Sequence, residues 1–106
     1  MIRPGKLRRR VVLEQPVRTS DGGGGASIAW SPLATLWAAI QPLSGHERPR
    51  FESLEATLSH KITVRFRSGI SPDMRFRLDT RIFNIHVVRN EDERNRWLIC
   101  LCEEIV

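Results

Sequence analysis

Apolar and polar residues alternate along two short stretches, KITVRFR at 61–67 and MRFRL at 74–78. Side chains of a β-strand point to opposite faces in turn, so this alternation predicts two strands with one apolar face each. The intervening SGISPD is rich in turn-forming residues. The simplest arrangement of the two strands is a hairpin.

Four further stretches read as strands. RRRVVLEQPVR (8–18) is a strand that Pro16 ends or marks as an edge. RIFNIHVVR (81–89) and RWLICLCEEI (96–105) carry apolar residues on both faces, as central strands of a closed barrel or sandwich do. The stretch 28–43 fits helical as well as extended spacing, but its prolines and β-branched residues favour a strand from about Ala34 to Pro42.

One helix is predicted over residues 49–58. Phe51, Leu54 and Leu58 form a single apolar stripe at helical spacing, among glutamates that favour helices. Pro49 fits only the first helical turn. The fold class is therefore mainly β: one domain over 1–106, a small β-barrel or sandwich of about six strands with one short inserted helix.

A glycine run interrupts the chain between the first two strands. Residues 19–27, TSDGGGGAS, predict a flexible hairpin tip, because glycines retain high conformational entropy. The run lacks the Lys-Ser/Thr ending of a phosphate-binding loop. The candidate contact residues of this loop are Asp21, Gly22, Gly23, Gly24 and Gly25.

Composition narrows the chemistry. The formal net charge is +5, which fits either a polyanionic partner or simple solubility. Cys100 and Cys102 lie two apart on one strand, where they face one side as buried free thiols. The three histidines have no recognisable catalytic context, and the cysteine spacing is unlike that of zinc sites. We expect no enzyme activity, cofactor, metal or membrane span.

Cations form two clusters whose partners the sequence leaves open. In the predicted hairpin, Arg65, Arg67, Arg75 and Arg77 share an exposed face, which could contact a neighbouring subunit, DNA phosphate or acids of another strand. Phe66 and Phe76 would point away from it, so base stacking is unsupported. The second cluster belongs to a basic arm over residues 1–10 and comprises Arg3, Lys6, Arg8, Arg9 and Arg10.

Several stretches, in order, resemble the head–tail joining (head-closure or stopper) proteins of tailed phages and gene transfer agents. They are MIRPGKLRRRVVLEQP, WSPLATLWAAIQPLSGHE, HKITVRFRSGISPDMRF and RIFNIHVVRNEDERNRWLICLCEE. The resemblance covers nearly the whole chain. The family more often has aromatic or acidic residues where Pro49 and Arg50 stand, and fewer glycines in the hairpin tip.

The resemblance implies a structural role without a reaction. Such proteins form a ring, usually dodecameric, although the isolated subunit can be a monomer. The ring joins the portal and adaptor proteins to the tail terminator or tail proteins, retains packaged double-stranded DNA through non-specific contact, and docks the tail. It implies assembly in the bacterial cytoplasm and a final place at the head–tail interface. The alternative is a small basic β-barrel that binds nucleic acid non-specifically.

Overall fold

The computed structural model describes residues 4–20, 22–43, 50–51 and 56–105. The strands are β1 (Arg9–Ser20), β2 (Ala26–Pro42), β3 (Arg50–Phe51), β4 (Ala56–Thr57), β5 (His60–Arg65), β6 (Arg75–Leu78), β7 (Arg81–Asn90) and β8 (Trp97–Ile105). Short 3₁₀ turns occupy Pro4–Lys6 and Glu91–Glu93.

Six strands form one sheet that closes on itself in the order β1-β2-β5-β8-β7-β6. Every neighbouring pair is antiparallel, and β1 closes the sheet by pairing with β6 through Val12, Leu13 and Glu14. The closed ring of strands is irregular and not evenly spaced about an axis. The mainly β prediction with about six strands is confirmed.

The apolar half of each alternating stretch fills the barrel interior. Val11 and Leu13 of β1, Val64 of β5 and Phe76 of β6 have no exposed surface. Cys100 and Cys102 lie in the same core as free thiols. Burial raises the pKa of the Cys100 thiol to about 12. Burial, and to a smaller extent the charge of the neighbouring Cys100, raises the pKa of the Cys102 thiol well above its usual range. The thiols therefore act as small apolar core groups.

The stretch that also fitted a helix is a strand, longer than predicted. β2 runs over 17 residues, and its register against β1 shifts between Leu13 and Glu14. Pro32 lies opposite Glu14 at this irregularity. A proline cannot donate to a regular ladder, so its position at a register shift explains how the strand tolerates it.

The helix predicted over 49–58 is wrong for the described residues of that segment. Arg50–Phe51 and Ala56–Thr57 pair as a small antiparallel sheet, and Leu58 is fully buried just before β5. Residues 49 and 52–55 lie outside the described ranges. Isolated helices this short are marginal, so burial of Leu58 and strand pairing outweigh the helical spacing of three apolar residues.

The predicted hairpin between the two alternating stretches is also wrong. β5 pairs with β2 and β8, whereas β6 pairs with β1 and β7. The segment between them crosses to the other side of the barrel instead of reversing. Phe66, expected to face inward, follows the end of β5 and is 38% exposed, whereas Phe76 is buried as expected.

The distal halves of β1 and β2 extend beyond the closed sheet. We call this hairpin, Gln15–Ser20 with Ala26–Ser31 and its connecting tip, the β-arm. Its strands pair only with each other, from Gln15↔Ser31 to Ser20↔Ala26. At about 3.3 Å per residue, each side is about 20 Å long. Residues 19–20 and 26–27, predicted as loop, belong to the strands, so the described part of the tip is confined to 22–25.

Candidate assembly interface

The four arginines predicted to share one face divide into two pairs at separate places. Arg75 and Arg77 on β6 both donate from Nε to the carboxylate of Glu14 on β1, at 2.8 and 3.0 Å. Arg75 also stacks over Trp30 of the β-arm, 4.1 Å from the ring centroid. These two cations thus join β6 to β1 where the barrel closes.

Glu14 is the best-buried carboxylate of the described residues, with 6% of its surface exposed. Burial by itself would raise its pKa, but hydrogen bonds and charge from Arg75 and Arg77 outweigh that effect and lower the pKa below its usual range. The site is an internally satisfied ion triad. It is therefore poorly suited to gripping an external anion.

Arg65 and Arg67 lie elsewhere, at the end of β5 and just beyond it. Arg65 stacks over Trp97 of β8, 5.3 Å from the ring centroid. Both arginines line a surface groove with Trp37 and Phe66. No described carboxylate forms an ion pair with either of them.

A row of alternating arginine and tryptophan crosses four neighbouring strands. Arg10 pairs with Trp37 across β1 and β2, and Arg65 pairs with Trp97 across β5 and β8. Ala38 and Val64, next to Trp37 and Arg65, are a buried cross-strand pair, so Trp37 and Arg65 point outward side by side. We call these four residues the Arg–Trp row: Arg10, Trp37, Arg65 and Trp97.

The row combines exposed apolar surface with arginines stacked over aromatic rings. Trp37 is 54% exposed, the largest exposure of the described large hydrophobic residues. Arg10 lies over its ring at 5.3 Å, as Arg65 lies over Trp97. At a strand spacing of about 4.8 Å, the row is about 14 Å long. Sequence reasoning missed it because the row exists only once the strand order and register are known.

The remaining N-terminal cations surround the start of β1. Arg8 donates from Nε to the carbonyl of Gly5 at 3.1 Å, and Lys6, Arg8 and Arg9 line a shallow groove beside β2. These side chains are exposed. Arg3, the first cation of the predicted cluster, lies outside the described residues.

The hairpin tip uses the conformational freedom of its glycines. Gly22 and Gly24 have positive φ of 81° and 86°, which side-chain-bearing residues rarely adopt. The Gly22 amide donates to Ser20 Oγ at 3.3 Å. A side chain at either glycine would meet only open space. Asp21 lies outside the described residues, and Gly23 and Gly25 complete the tip.

An acidic turn follows the last residue of β7. Glu91, Asp92 and Glu93 form a 3₁₀ turn in which Asp92 and Glu93 have positive φ of 57° and 53°. Asn90 and Asn95 brace it, because the Asn90 side chain donates to Asn95 Oδ1 at 2.6 Å and accepts from the Asn95 amide at 3.2 Å. The turn therefore presents its carboxylates from a braced backbone.

A second polar cluster, also absent from the sequence predictions, lies on β7 and β8. Arg81 donates to both carboxylate oxygens of Glu104, at 2.8 and 3.1 Å, and His60 lies 3.8 Å from the same carboxylate. The hydrogen bond from Arg81 lowers the pKa of Glu104. His86 and Glu103 form a neighbouring pair at 3.2 Å. These part-buried bonds join β7 to β8, and His60 of β5 lies beside them.

Among the described residues, no three His, Cys, Asp or Glu side chains come together as a metal site would require. No helix in this part of the chain is long and apolar enough to span a membrane. The described surface is distinguished by the Arg–Trp row, the acidic turn and the β-arm.

A model of the phage head completion protein family matches residues 2–105. A chain from the virion of a native gene transfer agent particle is 32% identical, covering 93% of this chain and 96% of that one with a TM-score of 0.71. The solution structure of SF1141 from Shigella flexneri 2a is 25% identical, covering 97% and 96%, with a TM-score of 0.72. No curated protein matches. The chain belongs to the phage head completion protein family, a class of virion structural components that are not enzymes.

Proposed function

We propose that this chain forms a ring between the portal–adaptor complex and the tail of a phage or gene transfer agent particle. The ring retains the packaged DNA and docks the tail. The observation that carries the proposal is the likeness to a gene transfer agent virion chain, which extends over nearly the full length of both chains. A partial likeness would support the fold without supporting a shared place in a particle.

The surface supports the same role. A ring subunit must contact neighbours on two sides and other proteins above and below. The exposed Trp37, the acidic turn and the β-arm supply contact surfaces in different parts of the molecule. Tryptophan and arginine are enriched at the centres of protein interfaces, whereas lysine is depleted there.

The β-arm tip and the basic N-terminal segment are the proposed contacts with adjoining rings or the channel. The tip around Gly22–Gly25 lies at the end of a hairpin whose two described strands form backbone ladders only with each other. The second surface comprises Lys6, Arg8, Arg9 and Arg10, with Arg3 before them. Arg67 is the proposed DNA-facing cation, because it is exposed and has no described ion-pair partner.

The proposal is tested by cryo-electron microscopy of the particles encoded beside this gene. Ring density that fits this chain between the portal and the tail is the expected result. Intact tailed particles that lack the chain, checked by mass spectrometry of the purified particles, would overturn it. The same map would identify the residues nearest the DNA.

The tip has its own test. Replacing Asp21–Gly25 with Asn-Gly keeps Ser20 opposite Ala26, because this dipeptide favours a two-residue hairpin turn. We expect the variant to unfold at the same temperature as the wild type, within about 2 °C, because the described tip glycines, 22–25, are exposed. The yield of tailed particles should fall. A wild-type yield would show that the tip makes no required contact.

The second candidate function is non-specific binding of nucleic acid by the free subunit. The net charge of +5 favours it, as do Arg65 and Arg67, which form no ion pair with a described carboxylate. A ring subunit needs only weak DNA affinity of its own, whereas a DNA-binding module holds DNA as a free protein. Affinity of the isolated chain at physiological salt separates these roles.

A further inference from the structure

The Arg–Trp row has an unusual chemical property. A guanidinium stacked on an aromatic ring uses its flat face for the ring and leaves the N–H groups at its edge free to donate. Arg10 over Trp37 and Arg65 over Trp97 are held in this way. The row thus presents two cations whose positions are fixed before any partner arrives, which lowers the entropy lost on binding.

The chemistry of the row favours a carboxylate-bearing protein over a nucleic acid. Duplex DNA is bound mainly through phosphates, and an exposed tryptophan adds little to such contact. Trp37, flanked by Arg10 and Arg65, instead resembles the aromatic anchor at the centre of a protein interface. The expected partner therefore has carboxylates spaced to meet two arginines on either side of an aromatic contact.

The chain itself carries such a group, at the opposite end of the same surface. The row begins at Arg10 on β1 and ends at Trp97 on β8, which the acidic turn Glu91–Glu93 approaches directly from β7. The other described ion-pairing carboxylates, among them Glu14 and Glu104, already have cationic partners. Among the described residues, the acidic turn is therefore the place where several carboxylates without an ion pair lie together.

Because the cations and the carboxylates lie at different ends of one surface, we propose that the Arg–Trp row of one copy binds the acidic turn of the next copy in the ring. The contact is heterologous, with different surfaces on the two partners, as ring closure requires. It rests on the proposed function and names the surfaces that join neighbours. Arg94 and Arg96 follow the turn, so the contact uses the exposed carboxylates of Asp92 and Glu93 rather than the charge of the whole loop.

The backbone of the turn supports this role. Asp92 and Glu93 adopt left-handed φ without being glycine, which is unfavourable for glutamate in particular. The Asn90–Asn95 bonds maintain this conformation. A turn that only connected two strands would form more readily with glycine at those positions.

The test reverses the charge of one surface at a time and then of both surfaces together, in particles assembled with each variant. Arg65→Glu alone, and Asp92→Arg with Glu93→Arg, should each lower the yield of tailed, DNA-filled particles at least about tenfold, the effect of a close charge pair lost at each interface. A chain carrying all three changes should recover yield to within about threefold of the wild type, because every interface then holds the reversed pair. Arg89→Glu, an exposed arginine outside the row, is the matched control and should leave yield unchanged.

The outcomes separate the possibilities. Wild-type yield from Arg65→Glu would overturn the row as an interface. Impaired single reversals without recovery in the combined chain would overturn the acidic turn as its occupant and point to DNA or another virion protein. Thermal unfolding of each purified variant shows whether a lost yield is merely a lost fold. If deleting the whole gene leaves particle yield unchanged, the proposed function itself fails, a result distinct from these.

Discussion

At the scale of single residues, the arginines of this chain do three different jobs that the sequence cannot distinguish. Arg75 and Arg77 satisfy a buried carboxylate, Arg81 braces two strands through Glu104, and Arg65 stacks on an aromatic ring. The partner of Arg75 lies 61 residues away along the chain. Alternation puts Arg75 and Arg77 on the strand face opposite the buried Phe76, but what they meet depends on strand order.

Glu14→Gln tests the ion triad. We expect the substitution to lower the free energy of unfolding by about 2 kcal/mol at pH 7, because two arginines lose the charge that compensates them. The pKa of Glu14 is lowered in the folded state from about 4.5, so its contribution is present above pH 4.5 and is lost as pH falls through the lower folded value. Urea unfolding at pH 7 and pH 3 measures this.

The control for that experiment is Glu93→Gln, which removes an exposed carboxylate without a described ion pair. It should change the free energy of unfolding by less than about 0.5 kcal/mol. If Glu14→Gln and Glu93→Gln behaved alike at pH 7, the triad would contribute nothing to stability.

At the scale of elements, the existence of strands was predictable and their pairing was not. Val11, Leu13 and Phe76 mark their strands through alternation that any reader of the sequence can find. The pairing of β6 with β1 joins residues far apart along the chain, for which periodicity holds no information. The helix failed because its stripe was short, and because Leu58 is buried before a strand.

Hydrogen exchange tests the division of β1 into barrel and β-arm. Amides of Val11–Leu13 lie in the closed sheet, whereas those of Val17–Thr19 lie in a two-stranded ribbon with exposed faces. Isolated two-stranded ribbons are marginally stable, so we expect the distal amides to exchange at least about tenfold faster. Mass spectrometry of overlapping peptides measures both within one strand. Equal protection would mean that the β-arm is as stable as the barrel.

At the scale of the whole molecule, the chain carries many cations, but only some of them are free of an ion pair and can contact DNA. The net charge of +5 overstates what the surface offers to DNA, because Arg75, Arg77 and Arg81 are already paired. The sequence predicted a basic protein with possible DNA contact. Which cations remain for that contact could be read only from the folded chain.

Salt-dependent DNA binding tests this distinction with two neutralised arginines. Arg67→Gln should weaken binding and reduce the slope of log affinity against log salt by about 1, because an exposed cation without an ion pair is lost. Arg75→Gln should leave the slope unchanged and instead reduce stability, because Arg75 is bonded to Glu14 and stacked on Trp30. Fluorescence anisotropy with a duplex of arbitrary sequence measures both, and the opposite pattern would contradict the assignment.

The position of β8 has a consequence for synthesis on the ribosome. This strand is the last of the barrel strands along the chain, yet it lies between β5 and β7. A nascent chain that stops before Trp97 leaves both neighbours with open edges, which are sites of aggregation rather than assembly. The barrel therefore closes only after translation has passed β8. Chains that terminate before Trp97 are therefore expected to aggregate, because a closed barrel requires β8 between its two neighbours.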